Sequence, residues 1–139
     1  EKIVVRQTSD KLIASIDKEK FVCLKNLHVI TKLKEGKKIS LKFLLGLINS
    51  KLLDFYYTLL NPEKGEALAE VKKENLSRLP INIENTKLQK DIIELVDKVL
   101  SIKQKDTIAE TTDLEAQIDQ LVYQLYNLTV EEIKIIENT

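Results

Sequence analysis

The sequence is poor in the residues from which metal and nucleotide sites are usually built. Its 139 residues include one histidine, one cysteine, three glycines and two prolines, and neither methionine nor tryptophan. A single histidine cannot supply the histidine pairs found in many zinc sites, and the glycines do not occur in a phosphate-binding pattern. These absences argue against a zinc-dependent deaminase, a dinucleotide-binding domain and a P-loop nucleotide site within this chain.

The sequence also lacks the features of a secreted or membrane protein. Cys23 is the single cysteine and cannot form an internal disulfide. There is no apolar stretch of transmembrane length, and the first residues do not resemble a signal peptide. We therefore expect a cytoplasmic protein without a membrane partner. Because the chain begins with Glu1 and contains no methionine, we also expect it to be a segment of a longer polypeptide.

Charge is distributed unevenly along the chain, although the net formal charge is zero. Residues 1–80 contain 16 Lys and Arg against 10 Asp and Glu, whereas residues 81–139 contain 6 against 12, so the first part is basic and the second acidic. Lysines are concentrated in one short stretch of the first part, at Lys25, Lys32, Lys34, Lys37, Lys38 and Lys42. Such a stretch can contact phosphates, and a solvated lysine-rich loop is the alternative interpretation.

The hydrophobic spacing in the first part predicts a small sheet followed by a helix. Residues 3–8 and 12–16 predict two short strands joined by a tight turn, and residues 21–31 predict a longer strand in the centre of the sheet. The spacing of three and four over residues 41–59 predicts one amphipathic helix that begins after the N-cap Ser40 and ends before Asn61-Pro62. A short strand is predicted at Val71.

The second part predicts helices only. Apolar stripes over residues 88–103 and 114–125 are typical of two one-sided helices, and the short linker between them predicts an antiparallel pair. Capping-box spacing at Thr112-x-x-Glu115 and Thr129-x-x-Glu132 predicts helix starts near Asp113 and Val130. The predicted fold class is α+β. A small mixed or antiparallel sheet domain with a packed helix occupies residues 1–83, and an antiparallel helical hairpin occupies residues 84–139.

A nuclease site is one catalytic alternative. Metal-dependent DNA cleavage uses two carboxylates and a nearby lysine, which Asp54, Glu70 and Lys72 could supply. Asp54 lies within a helical pattern, however, and no proline precedes it. We therefore assign no catalytic site and no metal site to this chain.

Five pieces of the sequence carry a family resemblance. In chain order they are IVVRQTSDKLIASID, FVCLKNLHVI, LKFLLGLINSKLLDFYY, VKKENLSRLPI and LQKDIIELVDKVL. In this order and spacing they resemble the TaqI-like C-terminal specificity domain, from about Lys2 to Leu100, and residues 113–137 resemble the helical tail that often follows it. That family provides target recognition in fused restriction-modification enzymes and related adenine-specific DNA methyltransferases.

The resemblance implies that the chain reads a short sequence in double-stranded DNA for a methyltransferase domain of the same parent chain, and for an endonuclease domain if the parent has one. It implies that S-adenosylmethionine binds in the parent's other domains, as does magnesium for a nuclease, and that this chain holds no cofactor. The candidate contacts are side chains able to bond phosphates or base edges: Arg6, Gln7, Thr8, Lys11, Asn26, His28, Lys32, Lys34, Lys37 and Lys38. The alternative function is a helical protein–protein interaction module that binds no nucleic acid.

Overall fold

The computed structural model describes residues 1–22, 25–31 and 38–139. Within these residues the fold is α+β, with one three-stranded antiparallel sheet followed by helices, and the predicted fold class is confirmed. The elements are β1 Lys2–Arg6, β2 Ala14–Asp17, β3 Leu27–Ile30, α1 Leu41–Ile48, α2 Lys51–Leu60, α3 Lys73–Leu76, α4 Thr86–Lys105, α5 Thr112–Leu125 and α6 Val130–Glu137. None of the described helices is long and apolar enough to cross a membrane.

The sheet has the order β2-β1-β3, so β1 is its central strand. Ile3 and Val5 of β1 are fully buried and belong to the main hydrophobic core, together with residues of α1. Side chains alternate between the two faces of a strand, so Arg6 lies on the face opposite to Val5. Among the described residues, helices cover the face of the sheet that carries Ile3 and Val5, and Arg6 is exposed on the other face.

The predicted long central strand is wrong in two respects. The strand spans only Leu27–Ile30, and β3 lies at an edge of the sheet rather than at its centre. Phe21 and Val22 precede it and are 64% and 90% exposed, so the apolar alternation there does not reflect burial in a sheet. Backbone pairing with β1 begins where Gln7 N donates to Asn26 O, and alternation alone could not locate that start.

The predicted single helix over residues 41–59 is also wrong, because two helices meet at a corner formed by Asn49 and Ser50. The Ser50 hydroxyl accepts a hydrogen bond from Leu53 N and caps α2. Ser and Asn favour helix caps because their short polar side chains bond nearby backbone groups. The apolar spacing continues across the break, so it could not reveal two helices. Ser40 as N-cap of α1 and the helix end before Asn61 are confirmed.

The segment around Val71 forms an isolated bridge instead of a strand. Thr8 pairs with Glu70, and Val71 N donates to Gln7 O over 2.6 Å. The following residues turn at once into the short helix α3. This segment lies beside the end of β1, on the same side as β3, because the N–H and C=O of Gln7 point to that side.

The C-terminal helices pack onto α1 at Gly46. A side-chain Cβ at this position would lie 2.9 Å from Ile92 Cγ2 and 3.0 Å from Val96 Cγ2, which is too close for a carbon contact. Glycine is what permits this close approach of α4 to α1. Ile92 and Val96 belong to the same hydrophobic core as Ile3 and Val5. The division at residue 83 stays a prediction.

The caps of the last two helices differ from each other. The capping box at Thr129 and Glu132 is confirmed, with both reciprocal hydrogen bonds present. The predicted box at Thr112 is wrong, because Thr111 is the N-cap of α5 and its hydroxyl donates to Glu115 Oε1 over 2.6 Å. The predicted start near Asp113 is correct, since α5 begins at Thr112.

A polar cluster fixes α2 against α5 and α6. Asp119 is 7% exposed and accepts a hydrogen bond from Lys51 N at the start of α2, and burial raises the pKa of its carboxyl. Lys51 Nζ pairs with Glu137 over 2.6 Å, and Tyr123 donates to the same carboxylate over 2.7 Å. These two bonds lower the pKa of Glu137. Acceptors at a helix start stabilise it, so Asp119 and Ser50 together fix the direction in which α2 begins.

Candidate nucleic-acid interface

Five of the predicted DNA-contact residues lie together at the end of the sheet where β1 ends. Arg6 N donates to Ile13 O over 2.9 Å, and Gln7 N donates to Asn26 O over 3.0 Å. These bonds join the ends of β1, β2 and β3 at one place. The residues brought together are Arg6, Gln7, Thr8, Lys11 and Asn26. We call these five residues the polar end of the sheet.

The side chains at the polar end are available to a partner. Arg6, Thr8, Lys11 and Asn26 are exposed, and Gln7 is half-buried. The backbones of Arg6, Gln7 and Asn26 are hydrogen-bonded at the end of the sheet, so these three side chains project from fixed positions. Guanidinium, ammonium, amide and hydroxyl groups are the groups that proteins use to bond phosphates and base edges. The arrangement can therefore contact a polyanion and also discriminate between bases.

His28 has a different place from the other candidates. It lies opposite Val5 in the register and therefore on the face of the sheet that the helices cover. Its half-buried ring places Nε2 2.6 Å from Val71 O, where the nitrogen must carry the proton and donate. The ring thereby holds the segment around Val71, whose backbone bonds Gln7 at the end of β1. We attribute to His28 a role in positioning this segment, and its contact with DNA stays a prediction.

Of the four lysines predicted as a basic loop, one lies among the described residues, and it is not at the polar end. Lys32, Lys34 and Lys37 lie outside the described residues. Lys38 is exposed and stands two residues before Ser40, the N-cap of α1. Asn49 at the other end of α1 bonds Ala14, next to the polar end. Lys38 is therefore associated with the far end of α1.

Three side chains that are not among the predicted DNA contacts hold the loop between β1 and β2. Asp54 Oδ1 accepts from Leu12 N over 2.7 Å. Asn49 Oδ1 accepts from Ala14 N over 2.8 Å, and Asn49 Nδ2 donates to Ala14 O over 2.9 Å. Asp10 Oδ2 accepts from Gly65 N over 3.0 Å. The signal in the sequence is the Asn49-Ser50 pair inside an apolar helix pattern. Such a pair favours a break between two helices, and the Asn49 side chain can then bond another element.

Asp54 is a structural acceptor rather than part of a described metal site. Burial raises the pKa of its carboxyl, while the hydrogen bond from Leu12 N and the positive charges of Lys64 and Lys11 oppose that rise. Lys72, its partner in the nuclease alternative, forms an ion pair with Glu63 over 2.8 Å. Among the residues that the structure describes, no three His, Cys, Asp or Glu side chains could hold a metal ion together.

The fold and the polar end define a small α+β binding domain, and comparison with known families identifies its kind. Residues 1–81 match the TaqI-like C-terminal specificity domain, and because this is more than half of the chain, the chain belongs to that family. It is thus a specificity domain of the class found in restriction-modification enzymes. The sequence pieces predict a resemblance as far as Leu100, whereas the match ends at Ile81. A comparison with curated proteins found no match.

Proposed function

We propose that the chain reads a short sequence in double-stranded DNA and directs an adenine-specific DNA methyltransferase domain of its parent to that site. Where the parent also has an endonuclease domain, the same reading directs cleavage. The observation that carries the proposal is the polar end of the sheet. Five side chains able to bond phosphates or base edges come together there, within the residues that match the specificity family.

The side chains at the polar end divide by chemistry into two tasks. A lysine acts nearly as a point charge, so Lys11 is suited to a phosphate and to setting the position of the domain. The guanidinium of Arg6 can donate two bonds at once to the acceptors on the major-groove edge of guanine. Asn26 and Gln7 have amides that can pair with adenine in the same groove. Position is thus set by the lysine, and sequence is read by the guanidinium and the amides.

Methyl transfer belongs to other domains of the parent in this proposal. We expect S-adenosylmethionine to bind in the methyltransferase domain, and magnesium to bind in a nuclease domain where one exists. The described residues of this chain offer no metal-binding cluster, and we assign to them no step of the chemistry. Their contribution is binding and orientation.

The helices α4 and α5 pack together, and α4 supports the sheet domain through α1. Ile92 and Val96 of α4 pack against α1 at Gly46, and α1 carries the corner that bonds β2. This packing favours a scaffold role for part of the second half of the chain. The interaction-module alternative stays open for surfaces of these helices that face away from α1.

The proposal predicts weak, salt-dependent binding of duplex DNA by the 139-residue chain. We expect dissociation constants of about 10⁻⁴–10⁻⁶ M for arbitrary duplexes, because other parts of the parent should supply further phosphate contacts. Neutralised phosphates release counterions, so the slope of log affinity against log salt should be about −0.9 for each phosphate contacted. Fluorescence titration of short labelled duplexes at two salt concentrations measures both quantities.

A second set of titrations controls for nonspecific attraction between exposed lysines and DNA. The Lys11→Ala variant should bind more weakly and lower the salt slope by about one, as expected for one lost phosphate contact. The matched control is Lys90→Ala, which removes an exposed lysine from α4 and should change neither quantity. No binding by the unchanged chain at low salt would instead favour the protein-interaction module.

A further inference from the structure

We propose that residues 6–13 form a preorganised DNA-reading loop, and that Asn49 and Asp54 are its positioning residues. This inference rests on the proposed function and goes beyond it, because it assigns sequence discrimination to one loop and to two side chains that hold it in place. We call residues 6–13 the reading loop and Asn49 with Ser50 the helical corner.

The reading loop is closed and anchored by side chains from outside it. Its ends are joined by the hydrogen bond from Arg6 N to Ile13 O. Asp54 then accepts from Leu12 N, and the Asn49 amide makes a two-bond pair with the backbone of Ala14. Inside the loop, Lys11 N donates to Ser9 Oγ over 3.2 Å. A connection of this length held at so many points has few conformations left to lose when it binds.

Burial along the loop alternates in a way that suits presentation to a partner. Leu12 is only 6% exposed and anchors the loop in the hydrophobic core, whereas its neighbours Lys11 and Ile13 are exposed. Thr8 is exposed at the other end of the loop and pairs through its backbone with Glu70. The buried Leu12 therefore fixes the backbone from which the exposed side chains of Lys11 and Ile13 project.

The helical corner is itself rigid enough to serve as a reference for the loop. Ser50 is buried and caps α2, and Asp119 of α5 accepts from Lys51 N. Asn49 sits immediately before these bonds and Asp54 lies in the first turn of α2. A displacement of the corner would therefore move both anchors of the loop together.

A simpler interpretation is that the two side chains only provide hydrogen-bond partners for backbone groups at the outer edge of the sheet. Unpaired backbone groups at a sheet edge need partners, and side chains can supply them. The bonds between Asn49 and Ala14 are exposed, however, so water could satisfy the same backbone groups at little cost. What water cannot supply is a fixed position for the loop. The two interpretations therefore differ in their effect on discrimination rather than on stability.

The experiment compares variants of the 139-residue chain in selection from a pool of random duplexes. The preferred duplex and a scrambled duplex are then titrated with each variant, and the ratio of the two affinities is the selectivity. For Asn49→Ala and Asp54→Ala we expect the selectivity to fall about tenfold, comparable to the loss of one oriented base contact. Affinity for the scrambled duplex should stay within about twofold, because the phosphate contacts remain.

Two further variants distinguish a loss of loop positioning from a general disturbance of the fold. Asp54→Asn keeps an oxygen that can accept from Leu12 N, so it should recover most of the selectivity. Asn82→Ala is the matched control, because Asn82 Nδ2 also donates to a backbone oxygen, that of Leu125, over 2.9 Å. It should keep the selectivity of the unchanged chain. Asn49 is exposed, so its alanine variant should fold as well as the control, as measured by thermal unfolding.

The possible outcomes distinguish failure of this inference from failure of the proposed function. If the unchanged chain selects a sequence and both alanine variants select it equally strongly, the positioning role is overturned and DNA reading stands. If Asn82→Ala loses as much selectivity as Asn49→Ala, the effect is general and the inference is again overturned. If the unchanged chain binds no duplex, the inference fails together with the proposed function.

Discussion

Ile92→Ala is expected to lower the free energy of unfolding by about 2–5 kcal/mol, which is the range for deleting a buried Ile side chain. Ile92 is fully buried, and its Cγ2 lies against Gly46 at the contact between α4 and α1. The substitution leaves a cavity where the second half of the chain supports the first. Urea unfolding followed by far-ultraviolet circular dichroism measures the change in free energy.

Ile108→Ala is the matched control for this substitution. The same atoms are removed from a side chain that is 88% exposed, so the change should stay within about 0.5 kcal/mol. We also expect one cooperative transition in both variants, because residues of both halves share one hydrophobic core. Equal effects of the two substitutions would contradict the packing described. Two separate transitions would support independent domains divided near residue 83.

Arg6→Ala is expected to cost about 1–3 kcal/mol of binding free energy at the recognised site and little at other sequences. Arg6 is exposed at the end of β1, and its backbone is fixed by the bond to Ile13 O. A guanidinium that bonds two acceptors of one base discriminates that base, so its loss should relax one position of the site. Methylation profiling across a genome, with the parent enzyme and its Arg6→Ala variant, measures this directly.

Lys11→Ala provides the contrasting variant for the same assay. We expect it to weaken binding to all sequences similarly and to leave the site preference unchanged, because a phosphate contact carries no sequence information. An Arg6→Ala enzyme with normal activity and unchanged site preference would remove Arg6 from the reading surface.

The fold class was predictable because the spacing of apolar residues changes clearly along the chain. Period two near the N-terminus and spacings of three and four afterwards correspond to the sheet and the helices. Helix ends marked by local chemistry were also predictable, as Ser40 and the capping box at Thr129 show. These features depend on neighbours in sequence, and a single sequence contains them.

The errors in the fold concern features that depend on tertiary partners. The corner at Asn49 is stabilised by Ala14 of β2, and the α2 start is stabilised by Asp119 of α5. Neither partner is close in sequence, and the apolar spacing runs through the break without interruption. The position of β3 at the sheet edge likewise depends on which strands pair with β1, which alternation does not specify.

The candidate site was predictable only as a set of suitable residue types. Charge and donor chemistry selected Arg6, Lys11 and Asn26, which the structure brings to one end of the sheet. The same criteria selected His28, whose ring instead bonds the Val71 carbonyl. They missed Asp54, because a carboxylate is an unfavourable neighbour for DNA when only its charge is considered. Its hydrogen bond to the loop backbone becomes visible only in three dimensions.

The most direct test of DNA reading by the polar end is a nuclear magnetic resonance titration of the ¹⁵N-labelled chain with its selected duplex. We predict the largest shift changes at the amides of Arg6, Gln7, Lys11 and Asn26, with small changes in α5 and α6. A scrambled duplex at the same concentration should produce smaller changes at Arg6 than the selected one. Shift changes confined to residues 112–137, or no changes at any amide, would contradict the account.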